Sequence, residues 1–274
     1  MIQYISRRSA VRSPLLNLFT LSLTALVIMV VLGVAASARA QDLSRYADPA
    51  EPALPQTTMQ VSRADTALVI TDPQIDFLSP DGVTWPVVGA SVQELGVVGN
   101  LELLLRTAKA SDMEVFISPH HYYPADHGWR FAGPLETLMH AIGMFDRRGP
   151  YTLEGFEGSG ADFMPQYKPY ILDGRTVISS PHKVYGPETN DLVLQLRKRG
   201  ISRVILAGMS ANLCTQAHLY ELLEQGFEVV VVRDATAAAR LPEGDGYQAA
   251  LTNFRYVAND LWTTEEAVAR MTAG

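Results

Sequence analysis

The chain has 274 residues, a formal net charge of −7 and a single cysteine. The acidic balance, with no lysine- or arginine-rich cluster past the first forty residues, argues against a nucleic-acid partner. The lone cysteine excludes an internal disulfide, so the fold must stand on packing.

The elements are taken in chain order. Arg7, Arg8 and Arg12 precede an apolar run from Leu18 to Ala36, and Ala38-Arg39-Ala40 follows, the three-part pattern of a secretory signal peptide. The expectation is export to the periplasm or beyond, with an uncleaved N-terminal membrane anchor as the alternative. "SRRSAV" at Ser6 to Val11 is weakly similar to a twin-arginine signal and leaves the route open. Loss of residues 1–40 would take the charge to about −11 and leave no membrane contact. Residues 41–62, with Pro52 and Pro55 and no periodicity, read as a linker, and residues 63–274 as one domain with a sizeable core.

Within that domain, Thr66 to Thr71 reads as a buried strand, and Val92 to Ala110 as a helix with Leu95, Val98, Leu101 and Leu105 on one face. Glu114 to Ser118 is the next strand. A stretch rich in aromatic residues and glycine runs from Pro119 to Gly174 and holds one helix near Leu135 to Ile142. Thr176 to Ser180, Arg203 to Gly208 and Glu228 to Val232 are further strands. Asp191 to Arg199, Cys214 to Gln225 and Gly246 to Asn253 are the intervening helices. Near-continuous Val/Ile/Leu strands alternating with helices predict a three-layer α/β/α sandwich around a mainly parallel sheet of five or six strands.

Ligands of such sheets lie beyond the carboxyl ends of the strands. Those ends carry Asp72, the His120/His121 loop, Lys183 and the Cys214 loop, with Asp234 and Ala235 to Ala239 as a further wall. Cys214 falls at a predicted helix start, where free N–H groups favour a thiolate and can hold an oxyanion. A carboxylate, an ammonium and a thiol meeting there suffice for nucleophilic attack on a carbonyl carbon. Taken singly, Asp72 would be a turn residue, Lys183 a solvated lysine and His182 a loop residue; their joint placement carries the argument. His140 and His218 lie on helical patterns and read as surface or core-edge positions.

"VITDPQIDFL", "HKVYGPETNDLVLQLRKRGISRVILAGMSANLC" and "FEVVVVRDATAA" together resemble the isochorismatase-like cysteine hydrolases, which include nicotinamidases and N-carbamoylsarcosine amidohydrolase. The resemblance spans roughly residues 64–265. It implies Asp72 as general base, Lys183 as the lysine beside it and Cys214 as nucleophile. It further implies a cis bond between Met209 and Ser210, and an oxyanion hole from the backbone N–H groups of Ser210 and Cys214. Phe77 matches an aromatic wall of the pocket, and Trp85, Tyr122 and Trp129 are further wall candidates. The implied reaction is cysteine-dependent cleavage of a small amide, carbamoyl or ureido C–N bond, without a cofactor, in a homo-oligomer. Cys214 argues against true isochorismatase activity, whose family members generally lack that residue.

The match is incomplete in one loop. Nicotinamidases bind a metal through an Asp-x-His motif and a further histidine; here His121 and His127 keep the spacing, but Pro119 replaces the aspartate. His120 is the residue that would complete a three-imidazole set. The expectation is no metal, with a metal-dependent nicotinamidase-type deamidase and a non-catalytic small-molecule-binding protein as the alternatives. Arg147 to Tyr170 is longer than a compact nicotinamidase requires and reads as a lid, an oligomer contact or a surface excursion.

Overall fold

The structure is a computed structural model that describes residues 43–274. The leader expected at residues 1–40 lies outside the described residues. The chain divides between Glu51 and Pro52. In the short first unit the Arg45 guanidinium sits 4.6 Å from the Tyr46 ring centroid. The predicted linker is not free to its end: Thr57 Oγ1 donates to the Asn259 carbonyl at 2.5 Å, and Met59 is fully buried.

The domain is built on strands β1 (Thr66–Thr71), β2 (Glu114–Ser118), β3 (Val177–Ile178), β4 (Arg203–Gly208) and β5 (Glu228–Val232). Two-residue β6 (Arg240–Leu241) and β7 (Gly244–Asp245) form a separate ribbon, and β8 (Asp260–Trp262) completes the main sheet. Its order is β3-β2-β1-β4-β5-β8, with every neighbouring pair parallel. A parallel sheet must be covered on both faces. Every residue of β1 is accordingly buried.

Alternation along the strands sends Leu68, Ile70, Val115, Ile117, Ile205, Val230 and Val232 into one core cluster. Helices α2 (Trp85–Leu95) and α3 (Val97–Ala110) follow the single turn α1 (Ile75–Leu78). Helix α3 packs against β1, β2 and β4 over that cluster, and against the last helix of the chain. The expected single helix is two, bent by 61° at Gly96, whose φ of 69° closes α2 in the left-handed region that glycine enters freely. Helix α4 (Pro134–Ala141) and the single turn α5 (Lys168–Ile171) lie in the stretch from Pro119 to Gly174, and α6 (Leu192–Lys198) precedes β4. On the opposite face α7 (Gln216–Glu224) packs against β5, and α8 (Gly246–Val257) against α7 and β8. Helix α9 (Thr264–Ala273) returns to α3. Asp234, expected as a pocket wall, instead accepts from both the N–H and the hydroxyl of Thr264 at 2.7 Å and so anchors the start of α9.

Candidate active site

Asp72 is the first residue past β1, and its N–H donates to the Ser118 carbonyl at the end of β2 at 3.0 Å. Its φ of 46° is one that aspartate tolerates better than most side chains, and the turn drives the carboxylate inward, where it is fully buried. The preceding Thr71 hydroxyl lies 3.0 Å from the Met209 carbonyl and 3.1 Å from the Thr215 hydroxyl, tying the end of β1 to the turn after β4. That contact requires Gly208, because a Cβ at its φ of 114° would run into the Thr71 backbone.

Beyond Gly208 the Met209–Ser210 bond is cis, as the resemblance implied. Residues Ala211–Thr215 form a wide π-type turn leading into α7, so helical turns begin three residues before the predicted Cys214 and α7 itself two residues after it. Cys214 sits in this turn, 3% exposed. Burial pushes its thiol pKa well above the ordinary value, and the Asp72 charge pushes it further. The backbone N–H groups of Ser210 and Cys214 act on the sulfur in the opposite sense, favouring the thiolate. The resting arrangement is therefore a protonated thiol beside a carboxylate, with two amides directed at the sulfur.

The cation expected beside Asp72 is absent from that place. Lys183 donates instead to Asp126 Oδ2 at 2.6 Å and to the His121 carbonyl at 3.0 Å, and lies 3.7 Å from the Tyr123 ring centroid. Its neighbour His182 is fully buried, with Nε2 2.8 Å from Asp72 Oδ1. The cause is strand parity: residue 182 continues the sheet through a parallel bridge with His120, and successive residues of an extended segment face opposite ways. His182→Gln is expected to lower kcat at least about 100-fold, whereas Lys183→Ala should change it less than about fivefold and cost about 1 kcal/mol of stability. Parallel kinetics and denaturant melts of the two variants measure this; the reverse ranking would return the role to Lys183.

A second histidine, His218, holds the Cys214 backbone. Its Nδ1 donates to the Cys214 carbonyl at 2.7 Å, and its Nε2 lies 2.8 Å from the Ser118 hydroxyl, which accepts from Asn190 at 2.9 Å. The sequence placed His218 at a surface or core edge; it is fully buried. Its position four residues after Cys214, one helical turn on, was the available signal.

An isochorismatase-domain family model matches residues 66–266. The chain belongs to the isochorismatase family. A 49-residue stretch is 43% identical to the uncharacterized isochorismatase family protein YecD of Escherichia coli O157:H7, covering 18% of this chain and 26% of that protein. The fold is similar to that of a cysteine hydrolase from Pseudomonas syringae pv. phaseolicola, with TM-score 0.66, 20% identity, and 81% of this chain and 99% of that one covered. It is also similar to N-carbamoylsarcosine amidase from Thermoplasma acidophilum, with TM-score 0.53, 18% identity, and 73% and 97% coverage. These likenesses establish the isochorismatase-like α/β fold.

Of the wall residues expected in this isochorismatase-family domain, Tyr122 reaches the site most directly. Its ring lies 4.6 Å from that of His120, its buried hydroxyl has no partner among the described residues, and burial together with the charge on Cys214 raises its pKa. Trp129 backs the Tyr122 ring at 5.7 Å. Phe77 stacks edge-on with Phe145, which in turn lies 5.0 Å from His120. Trp85 packs at the start of α2 over Gly89 and the core. Two further residues border the site without having been singled out in the sequence. Gln74 grips the His120 backbone from both sides at 2.8 Å, and Tyr185, its pKa raised to about 12 by burial and then by Glu136, feels the charge of Cys214.

The nicotinamidase-type metal set does not assemble. His121 Nε2 faces the Ala161 carbonyl and its Nδ1 faces the Arg147 guanidinium, both at 3.3 Å; burial and that positive charge hold its pKa at about 3. A cation beside Arg147 would be repelled. His127 is occupied by Asp146 at 2.9 Å, and His120 faces away toward Asp72, His182 and Cys214.

Proposed function

We propose that this isochorismatase-family protein hydrolyses the C–N bond of a small amide, carbamoyl or ureido compound through a thioacyl intermediate on Cys214. The observation that carries the reading is the position of the Cys214 thiol between the Asp72 carboxylate and the Ser210 and Cys214 amides. Asp72 takes the thiol proton as the sulfur attacks the carbonyl carbon, and the two amides receive the developing oxyanion. The tetrahedral intermediate then expels ammonia or an amine, which leaves with the proton held by Asp72. A water molecule, deprotonated by Asp72, attacks the thioester and releases the acid and the free thiol.

His182 orients the carboxylate throughout and offsets its buried charge. The partnerless Tyr122 hydroxyl is placed to hydrogen-bond a polar atom of the substrate. A fold shared with an amidase named for a carbamoyl substrate supports the choice of bond. With the leader reading of residues 1–40, the reaction belongs outside the cytoplasm; a homo-oligomer remains part of the proposal.

Intact-protein mass spectrometry during incubation with a panel of small amides and carbamoyl compounds, with ammonia assayed in parallel, tests the reading. The expected result is an acyl adduct on Cys214 that rises and decays with ammonia release. Ammonia release at the wild-type rate by Cys214→Ala protein would overturn it.

A further inference from the structure

Four buried donors at the sheet edge carry an inference that does not depend on hydrolysis. One ligand-capable atom from each of Asp72, His120, His182 and Cys214 lies within 4.8 Å of the others. The imidazole hydrogen bonds fix what each histidine presents. His120 Nε2 lies 3.0 Å from the Lys183 carbonyl and must donate to it, so Nδ1 carries the lone pair. His182 Nε2 lies 2.8 Å from Asp72 Oδ1 and donates to it, so this ring joins a shared ion through Nε2 once its proton has moved to Nδ1. His120 Nδ1 and Asp72 Oδ2 are buried with no partner among the described residues. Two unpaired acceptors in this buried cluster, beside a thiol, are a costly arrangement unless something fills it.

From this we infer that Asp72, His120, His182 and Cys214 form a tetrahedral site for a borderline-soft divalent cation, with zinc as the probe, whose binding takes the Cys214 sulfur out of reach of electrophiles. Two nitrogens, one carboxylate oxygen and one thiolate are donors that zinc accepts, and at ordinary bond lengths a tetrahedral zinc sets its ligands about 3.3–3.8 Å apart. The four atoms therefore need to close by about 1 Å. Charge also balances: carboxylate and thiolate together neutralise the divalent ion, which removes the main penalty for burying it. Only the thiol must lose a proton, so the step is Cys–SH plus M²⁺ giving Cys–S–M⁺ plus one H⁺ released to solvent. Magnesium, which holds oxygen ligands and its own waters, does not suit this set. The proposed effect is reversible silencing of the nucleophile by a transition metal.

The test uses the full chain, stripped with a chelator and kept reduced without thiol reagents. Zinc is titrated calorimetrically in two buffers of different ionisation enthalpy, and iodoacetamide alkylation of Cys214 is timed with zinc, with magnesium and with neither. Cobalt(II) is added separately and its absorption spectrum recorded. The expected results are one zinc per chain with release of one proton, alkylation slowed at least about tenfold by zinc and not by magnesium, and a thiolate-to-cobalt charge-transfer band that Cys214→Ser abolishes. His120→Gln should weaken zinc binding at least about tenfold. Absence of stoichiometric uptake, or uptake that leaves the alkylation rate unchanged, overturns the inference. Should His120→Gln fail to fold, the wild-type protection and cobalt spectrum decide it alone. Acyl-adduct formation by the metal-free protein is a separate readout, so failure of either proposal is recognisable without the other.

Discussion

Replacing Cys214 by alanine is expected to lower kcat by about 10³-fold or more while leaving the fold in place. The side chain removed is a single buried sulfur, and the cavity it leaves is small, so stability should fall by no more than about 1–2 kcal/mol. The catalytic loss is large for a different reason. The thiol pKa is raised by burial and by Asp72, so little thiolate exists at rest, and the carboxylate has to draw off the proton during attack. Without the sulfur, Asp72 and the two amides retain only weak assistance to direct attack by water. Ammonia-release kinetics beside a denaturant melt of the same variant measure both numbers. A variant that keeps a tenth of wild-type turnover would rule out the covalent route.

Acidification is expected to destabilise the protein steeply below neutrality. Burial holds His121 and His218 at pKa values of about 3, against an ordinary value of 6.5, with Arg147 and His182 respectively adding to the effect, and His120 is lowered as well. Between pH 3 and pH 6.5 the unfolded chain binds protons on these rings that the folded chain refuses. Stability therefore rises with pH through this window and is lost as pH falls through it. His121 and His218 alone account for a loss on the order of 4 kcal/mol between pH 7 and pH 5. Urea melts at the two pH values check this, and a His218→Asn variant should flatten the slope. A midpoint that does not move between pH 7 and pH 5 would show that these rings protonate in place.

Much of this architecture was readable in the residues. Thr66–Thr71, Arg203–Gly208 and Glu228–Val232 are continuous runs of strand formers, and they pair as parallel neighbours at the centre of the sheet. Strand β8, only Asp260–Trp262, is too short to show a period, and α9 behind it carries its buried residues Ala267 and Met271 among charged ones. Helix α2 begins at Trp85, seven residues earlier than read, and Gly89 leaves the room in which the Trp85 ring lies against its own helix.

At the site, Asp72 and Cys214 were legible from their place after strands, and the Ser210 and Cys214 amides only through the family resemblance. The choice between His182 and Lys183 was not. It depends on a one-residue parity in a segment where only Val177 and Ile178 are ladder-paired, and nothing in composition distinguishes the inward neighbour from the outward one. The same holds for His121 and His127, whose spacing survives while Arg147 and Asp146 occupy their rings.

The central ladder of the sheet joins Thr66 to Arg203 and Thr71 to Gly208, so the second strand of that pair arrives late in synthesis. Until residue 208 has been made and has cleared whatever channel delivers it, β1 has a partner on one side only, and a strand that the folded domain buries entirely waits exposed. A chaperone that shields the first half of the nascent chain is thus worth most to this protein before β4 appears and little afterwards, and truncations ending short of residue 203 should collect in the insoluble fraction.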